Sequence, residues 1–189
     1  MTAGAPLVVC VDDEPIVARS IVRAMRGEQL LPMATTEPEE ALAWVLEHDV
    51  AVLVSDYHMP SMNGIELSAR VRELRPSTIR VLITGALDLA TALASINEGE
   101  VFRFVPKPFA PAHVARVIRE AIAQHRAVAP VVAELERTER RARERAELEA
   151  RFPTITKPER AGDGAYVVPQ RAAGALEGLG LDELLRLRR

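Results

Sequence analysis

Acidic, hydroxyl and amino side chains follow four of the apolar segments in this 189-residue chain. The first segment is followed by Asp12 and Asp13, the third by Asp56, the fourth by Thr84 and the fifth by Lys107. In open α/β sheets, ligands bind in the crevice outside the carboxyl ends of the strands. If these segments are parallel strands, we expect the five side chains to converge on one site.

The chemical types of these side chains indicate phosphoryl transfer. Crowded carboxylates repel one another unless a cation lies among them, and a hard divalent ion such as Mg²⁺ meets that need. Lys107 adds an ammonium group and Thr84 a hydroxyl, and phosphoryl transfer depends mainly on holding the phosphoryl oxygens between such groups. Asp56, in the middle of the crevice, is the predicted acceptor, as an acyl phosphate.

Each of these residues also has an ordinary structural role open to it. Acidic residues at position 12 or 13 favour a helix N-terminus, Thr84 fits a turn, and Lys107 fits a solvated loop. Taken singly, these roles are the simpler interpretation. Because acidic, hydroxyl and amino side chains stand together at four strand ends, we favour the joint site.

The apolar pattern predicts five strands that alternate with five helices. The predicted strands are Leu7–Val11, Leu30–Ala34, Val50–Ser55, Arg80–Ile83 and Val101–Val105. The predicted helices begin at Pro15, at a capping box formed by Thr36 and Glu39, after Gly64, at Asp88 (to Ile96) and near Pro111 (to His125). The alternation predicts a parallel sheet that helices cover on both faces.

The composition is that of a soluble globular protein, with 48% hydrophobic and 27% charged residues and a net charge of −3. This balance gives no general reason to expect nucleic-acid binding. The single cysteine, Cys10, lies in an apolar run and is predicted to be a buried small residue. Without a partner for a disulfide, a signal peptide or a membrane-length apolar segment, the chain is expected to be cytoplasmic.

The C-terminal third of the chain changes in character. Residues 128–151 predict a charged helical extension, in which acidic and basic residues at i, i+4 spacing support the helix. Two interpretations stay open: a solvated helix that continues the preceding one, or a short coiled coil with a dimer seam near Val128–Leu135. Glu139 and Glu149 fall on that seam and weaken the second interpretation.

The tail, residues 152–189, is rich in glycine and proline and is expected to be irregular. A short strand is predicted at Ala165–Val168, and Asp182 is a predicted cap for a final helical turn or two. The tail is too small to bury a core by itself.

From about Leu7 to Arg126, the chain resembles the receiver domain of bacterial two-component response regulators. The matching motifs, in order, are VVCVDDEP, VSDYHMPSMNG, VLITG and FRFVPKPF. The resemblance implies a flavodoxin-like (βα)5 fold, a doubly wound parallel sheet with strand order 2-1-3-4-5, and a receiver domain over residues 5–127. It also implies that Asp56 accepts a phosphoryl group from a histidine kinase.

The resemblance assigns roles to the metal ligands. Asp12, Asp13 and Asp56 match the acidic residues that hold Mg²⁺ in the family, and the backbone carbonyl of His58 completes the protein ligands. By the same match, His58 and Ala86 lie at the mouth of the pocket.

The resemblance also assigns roles around the phosphoryl group. Thr84 and Lys107 match the residues that contact the phosphoryl oxygens, and Lys107-Pro108 matches a peptide bond that is usually cis. Thr84 and Phe104 match the switch residues, although Phe104 has no hydroxyl and would act through packing.

The expected function is therefore Mg²⁺-dependent phosphorylation of Asp56 in two-component signalling, without enzymatic activity on another substrate. Expected partners are a sensor histidine kinase or phosphotransfer protein, a downstream protein and a second copy of the chain, but neither membrane nor nucleic acid. One alternative is a DNA-binding regulator that uses Arg137–Arg145 as a basic helix, although the interleaved glutamates would repel phosphates. The other is an unphosphorylated interaction scaffold.

Overall fold

The computed structural model describes residues 4–85, 101–151, 159–160, 162 and 166–167. Five parallel strands form one sheet: β1 (Leu7–Val11), β2 (Leu31–Thr35), β3 (Val50–Asp56), β4 (Ile79–Thr84) and β5 (Arg103–Pro106). Their order is β2-β1-β3-β4-β5, which confirms the predicted flavodoxin-like topology. The predicted helix Asp88–Ile96 lies outside the described residues.

The described helices are α1 (Pro15–Ala24), α2 (Pro38–Glu47), α3 (Gly64–Leu74) and α4 (Pro111–Arg151). Proline occupies the first turn of α1 and of α2, where its missing N–H leaves no intrahelical bond unmade. Asn63 caps α3, because its side-chain oxygen accepts a hydrogen bond from the Glu66 backbone N–H at 2.9 Å.

The sheet separates two apolar clusters, as expected for a doubly wound fold. On one face Val8 and Cys10 pack in a cluster with residues of α1 and α4, and on the other Val9 and Val11 pack with residues of α2 and α3. All seven residues of β3 are buried, which explains its unbroken apolar run. Cys10 is buried as predicted.

The predicted capping box of Thr36 and Glu39 is wrong. The N-cap of α2 is Glu37, which makes no side-chain capping bond, and the Thr35 hydroxyl accepts the Glu37 backbone N–H at 3.0 Å instead. The physical reason is Pro38: its fixed φ suits the first helical position, so the helix starts one residue later than the predicted cap allows. Predicted strand ends differ from the observed ones by up to two residues, most at β5, which begins at Arg103 and not at Val101.

The chain divides into two compact units, Met1–Ala133 and Glu134–Arg189. In the second unit α4 continues to Arg151 with exposed side chains except at Glu149, so a helix does continue the predicted one. Two short strands, β6 (Glu159–Arg160) and β7 (Tyr166–Val167), pair antiparallel and confirm the predicted strand near Ala165–Val168. The predicted cap Asp182 lies outside the described residues. None of the helices described in the structure has the length and apolar character needed to span a membrane.

Candidate functional site

Asp56 is the last residue of β3 and stands at the carboxyl edge of the sheet. It is 5% exposed, and both of its carboxylate oxygens have partners. Oδ1 lies 2.7 Å from Nζ of Lys107, and Oδ2 accepts the His58 backbone N–H at 3.1 Å. Because β3 is buried along its whole length, the strand holds this carboxylate in a fixed place in the crevice.

Asp12 directly follows β1 and is fully buried. Its Oδ1 accepts the Glu14 backbone N–H at 3.0 Å, and its Oδ2 lies 3.0 Å from Nζ of Lys107. Burial raises the pKa of Asp12 above its ordinary value, although the hydrogen bonds from Lys107 and from the Glu14 N–H oppose this rise. The negative charge of Asp12 is therefore poorly stabilised by the surrounding protein.

Lys107 joins these two carboxylates. Burial lowers the pKa of its ammonium group, but the hydrogen bonds to Asp56 and Asp12 outweigh that effect, and the pKa is raised overall. Lys107 therefore keeps its positive charge at neutral pH. Its backbone N–H donates to the Thr84 carbonyl at 2.8 Å, and the Lys107-Pro108 peptide bond is cis.

Asp13 lies beside the buried pair and is exposed. One carboxylate oxygen from each of Asp12, Asp13 and Asp56 can be chosen so that all three lie within 4.8 Å of one another. Three hard oxygen donors at this separation fit Mg²⁺, which prefers carboxylate ligands and keeps several waters. Asp13 and His58 also line an open depression next to this cluster.

Thr84 ends β4 and is buried, and its hydroxyl donates to the Gly85 carbonyl at 3.2 Å. It directly follows Ile83, which pairs with Asp56 across the sheet. Phe104 lies in β5, is half-buried and pairs with Leu82 of β4. Ala86, predicted at the pocket mouth, lies outside the described residues.

Ser55 and Gly64 also pack against the Asp56 backbone, although the sequence predicted Ser55 only as a strand residue and Gly64 only as the residue before a helix. The buried Ser55 hydroxyl donates to the Asp56 carbonyl at 2.9 Å. Gly64 packs so closely that a Cβ there would overlap the same carbonyl oxygen and Cδ2 of Leu82. The sequence around Gly64 does not reveal this contact, because the contact forms only once α3 packs against the end of β3.

The arrangement can bind an anion beside a carboxylate. An ammonium group and a buried carboxylate lie in contact, two more carboxylates can share a divalent cation, and a hydroxyl ends the neighbouring strand. With the cation bound, this set provides positive charge around a phosphoryl group placed on Asp56. The structure therefore brings five of the predicted residues to one edge of the sheet: Asp12, Asp13, Asp56, Thr84 and Lys107.

Known proteins of one family are similar to this chain. The family model described as "Response regulator receiver domain" matches residues 8–119. The chain is 30% identical over 115 residues to the hydrogenase transcriptional regulatory protein HoxA of Cupriavidus necator, a match covering 61% of this chain and 24% of that protein. It is 32% identical over 116 residues to the two-component response regulator ORR5 of Oryza sativa, covering 60% and 87%.

A solved structure is also similar to this chain. The signal receiver domain of an HD domain-containing protein from Pseudomonas fluorescens superposes with a TM-score of 0.64 and 25% identity, covering 69% of this chain and 96% of that one. The matched region spans only about a quarter of HoxA, so the activity of the whole HoxA protein does not transfer to this chain.

Proposed function

Because this chain belongs to the response regulator receiver domain family of two-component signalling over residues 8–119, we propose that Asp56 accepts a phosphoryl group in a Mg²⁺-dependent reaction. The donor is a sensor histidine kinase or a phosphotransfer protein. The observation that carries this proposal is the buried Asp56 carboxylate, which lies 2.7 Å from an ammonium group and within reach of two further carboxylates.

The acidic residues and the chain around them would hold the ion. Its ligands are carboxylate oxygens of Asp12, Asp13 and Asp56 together with the backbone carbonyl of His58. When bound, Mg²⁺ supplies positive charge that offsets the repulsion between these carboxylates and the phosphoryl oxygens.

The protein groups carry the transfer itself. A carboxylate oxygen of Asp56 attacks phosphorus, a P–O bond forms, and the bond from phosphorus to the donor nitrogen breaks with its electron pair remaining on the donor. Lys107 then binds a phosphoryl oxygen instead of the free carboxylate. The Thr84 hydroxyl leaves the Gly85 carbonyl and donates to another phosphoryl oxygen, and Phe104 repacks in response.

The output of this reaction is protein binding. The receiver is assigned to residues 5–127, the charged helical extension to 128–151 and the tail to 152–189. The described helix over 134–151 carries six arginines and six glutamates, and four of the glutamates lie between arginines along the chain. This pattern favours a protein partner over the phosphate backbone of DNA. No reaction on a separate substrate is assigned.

Phosphorylation is tested directly with a small donor. The full chain is incubated with acetyl phosphate and Mg²⁺, and its intact mass is measured under acidic conditions. We expect the mass to increase by one phosphoryl group in the wild type, and no increase in Asp56→Asn or after the metal is chelated. Stable labelling of Asp56→Asn would contradict the assignment, and an unlabelled wild type would leave the scaffold interpretation.

The dimer seam is tested by mass in solution. Val131 and Leu135 on α4 are 68% and 59% exposed, which suits a seam near Val128–Leu135. Light scattering with Mg²⁺, before and after adding beryllofluoride, separates the outcomes. A dimer in the wild type but not in Leu135→Glu supports homodimerisation, and an unchanged mass leaves a monomeric adaptor.

Tight, steeply salt-dependent binding of DNA would overturn the assignment of a protein partner.

A further inference from the structure

The peptide unit that follows Asp56 is held on both sides. On its N–H side, the Tyr57 backbone donates to the Ile83 carbonyl at 2.8 Å. On its carbonyl side, Asp56 O accepts the Ser55 hydroxyl at 2.9 Å. Ser55 is fully buried, so this hydrogen bond is shielded from water.

Gly64 closes the carbonyl side of this peptide unit. Its N–H donates to the Tyr57 carbonyl at 3.0 Å, and this hydrogen bond joins the two ends of the loop between Tyr57 and Gly64. A Cβ at position 64 would overlap the Asp56 carbonyl oxygen and Cδ2 of Leu82. The Leu82 side chain can rotate away, but the carbonyl can yield only if the peptide unit rotates.

Rotation of that peptide unit has a direct effect on the carboxylate. It changes ψ of Asp56 and moves the backbone that carries the His58 N–H, which holds Asp56 Oδ2 at 3.1 Å. The same rotation re-aims the His58 carbonyl, one of the proposed metal ligands. A misplacement of about 1 Å in a reacting group can slow a reaction by roughly 100-fold.

We propose that Gly64 and Ser55 are positioning residues for the phosphoacceptor, which set the orientation of the Asp56 carboxylate through the Asp56–Tyr57 peptide unit. This inference rests on the proposed function of Asp56. It assigns no contact between either residue and the phosphoryl group.

The test compares Gly64→Ala with Val71→Ala, which trims a fully buried side chain further along α3. Both variants disturb the packing of α3, Val71→Ala by removing atoms and Gly64→Ala by adding one, but only Gly64→Ala disturbs the Asp56 carbonyl. Measured per folded molecule, we expect phosphorylation by acetyl phosphate to slow by about 10- to 100-fold in Gly64→Ala and to stay within about 3-fold of wild type in Val71→Ala. Equal rates in the two variants would overturn the inference.

A double variant separates the two overlaps at position 64. Leu82→Ala removes the side-chain overlap and leaves the overlap with the carbonyl. We expect Gly64→Ala/Leu82→Ala to remain slow relative to Leu82→Ala alone. Full recovery in the double variant would show that Gly64 serves side-chain packing only, against the inference.

A measurement on the metal-free protein is independent of phosphorylation. The His58 amide proton reports its hydrogen bond to Asp56 Oδ2 through its NMR chemical shift. We expect an upfield change in Gly64→Ala and a smaller one in Ser55→Ala, with the wild-type shift in Val71→Ala. An unchanged shift in Gly64→Ala would contradict the inference, whereas a wild type that takes up no phosphate would contradict only the proposed function.

Discussion

Nζ of Lys107 lies 2.7 Å from Oδ1 of Asp56, although β4 separates β3, which ends at Asp56, from β5, which ends one residue before Lys107. The side chain of Lys107 therefore reaches past the end of β4, where Thr84 stands, and also contacts Asp12. One ammonium group therefore contacts two buried carboxylates. Its removal should affect the fold, metal binding and phosphoryl uptake in different directions.

Lys107→Met removes this ammonium group and tests its three effects. Loss of one partner of a buried ion pair leaves uncompensated charge, so we expect the metal-free variant to lose about 3 kcal/mol of unfolding free energy, measured in urea. Mg²⁺ affinity, measured by calorimetry, should rise because a competing cation is gone. Phosphorylation by acetyl phosphate should fall at least about 10-fold because the phosphoryl oxygens lose a charged donor.

Arg119→Met is the control for Lys107→Met, since it removes an exposed ion pair between α4 and Glu28. Exposed pairs contribute little, so this variant should keep wild-type stability within about 1 kcal/mol and wild-type phosphorylation. A Lys107→Met protein that is phosphorylated as fast as this control would contradict the role assigned to Lys107.

Asp12→Asn should stabilise the metal-free protein. Burial raises the pKa of Asp12, so the charged form is less favourable in the folded state than in the unfolded state. Because the folded protein binds the Asp12 proton more tightly than the unfolded protein does, the contribution of Asp12 to stability falls as the pH rises through and above the ordinary Asp12 pKa of 3.8. At pH 7 the amide removes that penalty, and we expect a gain of about 1 kcal/mol in urea unfolding.

Saturating Mg²⁺ should reverse this order. We expect the ion to stabilise the wild type because it binds the folded state, whereas Asp12→Asn lacks one of the proposed ligands. The gain from Asp12→Asn in the metal-free protein should also shrink as the pH falls toward the ordinary Asp12 pKa of 3.8, because the folded protein then takes up the Asp12 proton. A variant less stable than wild type at pH 7 without metal would show that the carboxylate contributes favourably to the fold.

The sequence was most informative where one strand decides the position of a residue. The run from Val50 to Ser55 predicts a strand buried on both faces, and that alone places Asp56 at the carboxyl edge. Asp12, Thr84 and Lys107 follow from the same rule, since parallel strands end at a common edge. The strand order itself came from the family resemblance, because periodicity does not fix which strands are neighbours.

The features that the sequence did not reveal depend on contacts between distant segments or on competing local signals. The closeness of Gly64 to the Asp56 carbonyl exists only once α3 packs against the end of β3. The cap of α2 was mispredicted because Thr36 and Glu39 match a capping box while Pro38 shifts the helix start, and the proline dominates. The lysine that joins two carboxylates was predicted as part of the site, but its two contacts required the folded sheet.

Asn63→Ala should destabilise the protein through the start of α3. The Asn63 side chain accepts the Glu66 backbone N–H at 2.9 Å, and loss of such a cap typically lowers stability by about 1 kcal/mol. Glu37→Ala is a matched control, because Glu37 is the N-cap of α2 and makes no side-chain capping bond. Thermal unfolding of both variants measures the difference, and equal losses would contradict the capping role.

Cys10 should resist thiol reagents in the native protein and react once the protein unfolds. Its side chain is fully buried in β1, and burial raises its pKa to about 12. At pH 8 the thiolate fraction is then about one part in ten thousand, and the thiolate is the reactive form. Modification by a chromogenic disulfide reagent should follow the urea unfolding curve that circular dichroism reports. Complete modification in buffer within seconds would show that β1 opens readily, which its place next to the central strand β3 argues against.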